Sequence, residues 1–341
     1  MLRVLPLPPA PPPAPIPAPA MPPFDPHPLL RSGHIQTLAG YLLRAAPTLP
    51  RARRHTIPLP DGDQLVLHED APPKRPARRA ALLVHGLGGC HASPYLLRLA
   101  AKLRAAGVQT LRLDLRGCGA GVGLARYPNH AGRSDDLAEV IEWIAQRRPG
   151  LRLTLVGFSL AGNMALKLAG EAGSSPPGTL DSVVSVCAPI DLAACVRRLR
   201  YGLNRLYDRH ITRVLVRRLE ANRRRNPQLV LPPRLPRPLT LEHFDALYTA
   251  PVCGFAHRDE YYRRAAAAGL VYRITLPTLV LAARDDQLIT FEPYRRLRWP
   301  ACVRLWTTAH GGHLGHIARR GRDADRWWLD WRIVEWIAHL T

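Results

Sequence analysis

Lysine is almost missing from this 341-residue chain: Lys74, Lys102 and Lys167 are the only three among 48 lysines and arginines. An Arg-, Ala- and Pro-rich chain of this kind carries the mark of a G+C-rich genome, which accounts for much of its net charge of +22. No run of eighteen apolar residues exists, so no segment reads as a membrane span. An apolar signal-peptide helix is also missing, because residues 1–28 are nearly half proline and favour extended polyproline II. The six cysteines (Cys90, Cys118, Cys187, Cys195, Cys253 and Cys302) form no C-x-x-C pair. Without an export signal they read as reduced thiols of a cytoplasmic protein. Neither internal repeats nor aromatic-interleaved basic motifs are present, and no nucleic acid is expected as a partner. Arginine is dense from Arg197 to Arg237, so peripheral contact with an anionic inner-membrane surface is the partner expected for the charge.

A hydrophobic content of 47% excludes a disordered chain, and the length allows a large core. Residues 1–23 read as a flexible Pro-rich tail, with Met21 an alternative start, and 24–341 as one domain. Arg54–Pro58 and Gln64–His68 flank the Asp61-Gly62 turn as a hairpin. Ala80–Val84, Val108–Leu115, Leu151–Val156 and Leu180–Val186 read as strands, the first a continuous apolar run. Helices are expected at Pro94–Ala106, stopped by Gly107, and from Ser134 through Trp143, with Ser134 as its cap and Asp135 and Asp136 in its first turn. Alternation stops from about 189 to 272, an Arg-rich and largely helical stretch read as a cap inserted over the sheet. It resumes at Pro277–Ala283 and Ala301–Thr307, and a last helix runs from about Asp323 to Leu340. In that helix Trp327, Trp331, Val334 and Ala338 share one face and are expected to pack on the sheet. The fold class is α/β, a mostly parallel sheet with helices on both faces.

The sequence Val156-Gly157-Phe158-Ser159-Leu160-Ala161-Gly162-Asn163 lies between an apolar strand and an apolar-periodic helix. A serine on that tight turn is lifted above the sheet edge, the geometry of a nucleophile elbow. Small residues are needed two before and two after it; Gly157 meets this, and Ala161 adds one methyl. A serine nucleophile needs a base and an acid to orient the base. Asp285 and Asp286 follow the strand Leu279–Ala283, and strand-end spacing favours Asp286, leaving Asp285 to cap the loop or pair with an arginine. His310, His313 and His316 follow the last strand. His313, after Gly311-Gly312, is the base candidate, and the other two are expected to make local backbone bonds. The H-x-x-H-x-x-H spacing suggests metal, but a glycine-rich loop does not converge three ligands, so neither metal nor cofactor is expected. His85-Gly86-Leu87-Gly88-Gly89 supplies an oxyanion loop, the Leu87 and Leu160 amides being the donors.

These segments resemble the YheT-type α/β-hydrolases and their ABHD1/ABHD3-like relatives. Gly33-His34-Ile35-Gln36-Thr37 is similar to their GHxQT signature, His85–Gly89 to HGLxG, Arg116-Gly117-Cys118 to RGC and Tyr127–Leu137 to YHxGxxDDL. Gly157–Asn163 resembles GFSLGGN, Asp245–Tyr262 the cap segment and Gly312–Gly315 GGHLG. Departures are Ala161, Gly89-Cys90 and Ala265–Ala268. The resemblance implies Ser159 as nucleophile, Asp286 or Asp285 as acid and His313 as base. It implies hydrolysis of short- to medium-chain esters, acylglycerols or phospholipids. Thioester, amide and acyl-transfer chemistry share this apparatus, and a non-catalytic binding protein on the same scaffold is the alternative of another class.

Overall fold

A computed structural model describes residues 21–43, 46–72, 77–232 and 235–340. Its centre is one eight-stranded sheet of order β1-β2-β4-β3-β5-β6-β7-β8. The strands are β1 (Arg53–Pro58), β2 (Gln64–Glu69), β3 (Arg79–Val84), β4 (Gln109–Asp114), β5 (Arg152–Phe158), β6 (Leu180–Val186), β7 (Thr278–Ala283) and β8 (Val303–Thr308). The β1–β2 hairpin and the β2–β4 pair are antiparallel, and every later pairing is parallel. β3 and β7 are buried at all six positions because helices cover both faces, which is why they read as unbroken apolar runs.

One face carries α3 (Ser134–Arg147) and α4 (Leu160–Ala172), through Val140, Ile141, Ile144, Met164 and Leu168. The other carries α2 (Pro94–Ala105) and the last helix, Trp328–His339, through Leu96, Leu99, Leu103, Ile333 and Trp336. Each such fully buried leucine or isoleucine contributes about 1.5–3 kcal/mol, so the two cores hold the sheet edge rigid. The insertion after β6 is helical: α5 (Leu192–Leu199), then α6 (Asn204–Arg225), then shorter pieces ending in the helix Arg258–Ala265.

Four readings change. The segment Gly33–Leu42, singled out only as a signature, is a helix, α1. Ser134 is the first helical residue rather than a cap; its hydroxyl instead donates to Glu171 and accepts from Lys167. In the last helix the core face is Trp328, Leu329, Ile333 and Trp336, while Ala338 is exposed. Trp327 and Trp331 lie on its flank beneath the Arg98 and Lys102 cations, 3.5 and 4.7 Å from their ring centres, so desolvated charge outcompetes core packing there. Residues 1–20 of the expected tail lie outside the described residues, but Met21, within its expected bounds, is buried in the second core.

Candidate active site

The elbow sits where β5 ends and α4 begins, and its backbone is strained. Ser159 has φ 53° and ψ −117°, a conformation that side chains seldom adopt and that surrounding packing must impose. The turn is so tight that a Cβ on Gly157 would lie 2.2 Å from the Ala161 carbonyl oxygen. The methyl of Ala161 itself points into the core and is fully buried, which explains how alanine replaces glycine there. Asn163, four residues on, donates to the Ala131 and Ala265 carbonyls and accepts from the Ala267 amide. That side chain ties the elbow helix to the end of the cap.

Ser159, His313 and Asp286 come together from three strand ends. His313 Nε2 is 3.0 Å from Ser159 Oγ, and His313 Nδ1 is 2.8 Å from Asp286 Oδ2. Asp286 is 2% exposed, and its other oxygen accepts the Leu288 and Ile289 amides at 2.8 and 2.9 Å. Those bonds fix the carboxylate plane, leaving one oxygen for the imidazole. Asp285 faces elsewhere: its Oδ1 accepts the Gly312 amide at 2.9 Å and so caps the histidine loop.

The neighbouring histidines take separate partners. His316 is buried with Nε2 3.0 Å from Thr308 Oγ1, and burial pushes its pKa down to about 3. The expected local backbone bond is made by its amide, to Gly311. His310 lies 3.7 Å from Asp285. The three imidazoles therefore do not share a point. A second group, His68, His91 and Asp114, clusters away from the elbow. Its two rings are stacked at 3.6 Å, His68 Nε2 and His91 Nδ1 both bond Asp114 Oδ2, and the same carboxylate accepts the His91 and Ala120 amides. That arrangement is a carboxylate satisfied by hydrogen bonds.

The His85–Gly89 loop passes close against Ser159, since a Cβ on Gly86 would stand 3.0 Å from Ser159 Cβ. Its amide donates to the Tyr95 hydroxyl at 3.0 Å. His85 beneath it accepts the Leu115 amide at Nε2, which leaves the proton on Nδ1 for the Gly86 carbonyl, and burial lowers its pKa to about 4. Leu160 is the first residue of α4, where an amide has no partner inside the helix. Neither the Leu87 nor the Leu160 amide is taken by a hydrogen bond among the described residues.

Residues that motif reasoning left without a role complete the frame. Thr37 Oγ1, on α1, accepts the His313 amide at 2.7 Å and the Gln287 side chain at 2.7 Å, while donating to the Gly33 carbonyl. Gln36 brackets the far end of the loop, donating to the Ile317 carbonyl and accepting its amide. The GHIQT segment therefore grips the histidine loop. Arg116 of the RGC segment is buried among Asp61, Asp63 and Asp136, binding the hairpin turn to α3. α6 runs from α1 across the loops after β3 and β4: Tyr207 meets His34, Val214 meets Gly88, Arg218 donates to the Gly89 carbonyl and Asn222 to that of Gly117. Spacings of seven, four and four put these contacts on one helix face. Beneath the cap, Leu160 and Leu87 join an apolar cluster with Leu192, Val196, Tyr261 and Tyr262.

A central sheet with this strand order, a strand–elbow–helix serine and a histidine loop after the last strand define a class, and sequence comparison gives the same class. The chain belongs to the α/β-hydrolase fold family, which residues 81–319 match. It is of the YheT type within that family: it is 31% identical over 314 residues to the "Putative esterase YheT" of Escherichia coli (strain K12), with 89% of each chain covered. It is 28% identical over 304 residues to the "Medium-chain fatty acid ethyl ester synthase/esterase 2" of Saccharomyces cerevisiae, covering 82% of this chain and 65% of that one. Among solved structures, the Pyrococcus furiosus esterase Pf2001 shares the fold with a TM-score of 0.54 at 16% identity, over 84% of this chain and 91% of that one.

Proposed function

We propose that the protein is a carboxylic-ester hydrolase working through an acyl-enzyme on Ser159, with His313 as base and Asp286 as its orienting acid. The observation that carries this reading is the hydrogen-bonded chain Ser159–His313–Asp286, at 3.0 and 2.8 Å, beneath an apolar cap. Ser159 Oγ attacks the ester carbonyl carbon while its proton passes to His313 Nε2. The Asp286 carboxylate accepts the Nδ1–H bond and stabilises the imidazolium. The carbonyl oxygen becomes an oxyanion between the Leu87 and Leu160 amides. Collapse breaks the ester bond, and the Nε2 proton goes to the departing alcohol. Water, deprotonated by His313, then attacks the acyl carbon, and the acid leaves as Ser159 regains its proton. No cofactor enters these steps.

The apolar cluster around Leu160 and Leu87 supports an acyl chain as the part of the substrate held under the cap. Short- to medium-chain esters and acylglycerol- or phospholipid-type lipids fit that chemistry. Ser159→Ala is expected to lower turnover of p-nitrophenyl esters by at least about 10,000-fold while circular dichroism stays native. Undiminished turnover in that variant would overturn the mechanism, and graded acyl lengths in the wild type would define the substrate.

A further inference from the structure

We propose that the outer faces of α1 and of the N-terminal half of α6 form one docking surface for an anionic phospholipid bilayer, beside the mouth of the ester site. Its purpose rests on the ester-hydrolase reading; its physical basis does not.

On α1, Ile35, Leu38 and Leu42 follow one another at i, i+3 and i+7 and point away from the protein, with Tyr41 and Leu43 alongside. Each of these five is at least 46% exposed. Ahead of α6 and in its first turn stand Tyr201, Leu203 and Leu206, exposed at 71%, 64% and 59%. The two stripes are joined along a seam: the His34 ring stacks on Tyr207 with Nδ1 3.1 Å from its hydroxyl, and Tyr41 meets His210 at 5.6 Å. Isolated exposed leucines are ordinary, but eight large apolar side chains on two adjoining helices are a contiguous patch.

Charge selects the occupant. α1 carries no acid, arginine or lysine, its one histidine, His34, lies in the Tyr207 seam, and from Leu192 to Leu219 the only acid is Asp208, which is buried and bound to the Leu241 amide. Arg197, Arg209 and Arg213 are exposed there and make no ion pair among the described residues. An apolar stripe edged by arginines, with no exposed acid on α1 or from Leu192 to Leu219, suits a surface with hydrocarbon inside and phosphate at its rim. Leucines enter the acyl boundary while guanidiniums stay at headgroup level. The surface is also placed for use. The inner face of α1 holds the His313 loop through Thr37, so the outer face lies about 10–12 Å away, one helix diameter.

The test uses the full chain carrying Ser159→Ala, so that lipid is not consumed, in co-sedimentation with phosphatidylcholine vesicles with and without phosphatidylglycerol. Binding to the mixed vesicles is expected to exceed binding to pure phosphatidylcholine, and to weaken as salt rises from about 0.1 M to 1 M. Leu38→Ser with Leu206→Ser should lower affinity for mixed vesicles by about tenfold or more. Arg209→Ser with Arg213→Ser should remove about tenfold of the preference for phosphatidylglycerol. No binding by the parent, or equal binding by the variants, overturns the proposal. So does light scattering that shows a dimer broken by Leu38→Ser and Leu206→Ser without vesicle binding, which would assign the patch to a second copy. In the Ser159 protein, the leucine variant should hydrolyse soluble p-nitrophenyl butyrate within about twofold of wild type, which reports an intact fold. Vesicle binding without any ester turnover would overturn the hydrolase reading and leave the surface standing; turnover without binding would do the reverse.

Discussion

The sheet side and the cap side of the site are built on opposite terms. On the sheet side each chemical group is fixed by short-range backbone geometry or by bonds to backbone amides. Ser159 is held at φ 53°, Asp286 gives one oxygen to two amides, and the His313 amide is held by Thr37. On the cap side the contacts are made by side chains of a single helix. Val214, Arg218 and Asn222 of α6 rest on loop backbone, and the helix is otherwise half exposed and rich in arginine. Tolerance to substitution should therefore be low on the sheet side and higher on the cap side. Changes on the first should act on kcat, and changes on the second on substrate choice and stability.

The largest effect that would sharpen this contrast separates two adjacent carboxylates. Asp286→Asn is expected to lower kcat by about 10,000-fold, because the amide cannot stabilise the imidazolium. Asp285→Asn, which loosens only the Gly312 and His310 contacts, should cost about tenfold or less. Steady-state kinetics on a soluble ester reads both, and equal losses would break the assignment. Next comes Thr37, a positioning residue. Thr37→Val removes the acceptor for the His313 amide and should lower kcat by about 10- to 100-fold with KM little changed. Thr37→Ser should restore most of it; failure of serine to rescue would mean that α1 acts only by packing.

The smallest effect lies in the cap. Burial pushes the Asp245 carboxyl up to about 7, against the hydrogen bond it receives from the Tyr262 hydroxyl at 2.9 Å. Its folded-state pKa is above the unfolded value of 3.8, so the folded chain holds this proton more tightly. Stability is therefore lost through this group as pH rises from about 4 through about 7. Asp245→Asn removes that slope, and urea titrations should show the variant gaining about 2 kcal/mol on wild type between about pH 5 and pH 8. Parallel pH profiles would contradict it. Ester turnover at saturating substrate should change little.

Much of the sheet could be read directly. β3 and β7 are short, continuous apolar runs because both faces are covered, and Asp61-Gly62 is a turn signal with an obvious consequence. Strand-end spacing favoured Asp286, and the structure places its carboxylate, not that of Asp285, 2.8 Å from His313. What escaped was set by tertiary contacts. α1 lacks a capping bond and acidic first-turn residues, so nothing local announces a helix. Its grip on His313 joins residues 276 apart in sequence. In the last helix two stripes satisfied the same period, and only the positions of Arg98 and Lys102 decided between them. Ser134 has the chemistry of a cap, but Lys167 and Glu171 claimed its hydroxyl.

Everything proposed for the site turns on Ser159 being the nucleophile that carries the acyl group. Peptide mass spectrometry after treatment with a fluorophosphonate tests it most directly. A single adduct on Ser159, formed at least about 100-fold more slowly in His313→Ala, is the predicted result. An inhibiting adduct on another residue, or continued ester turnover by protein fully labelled at Ser159, would contradict it.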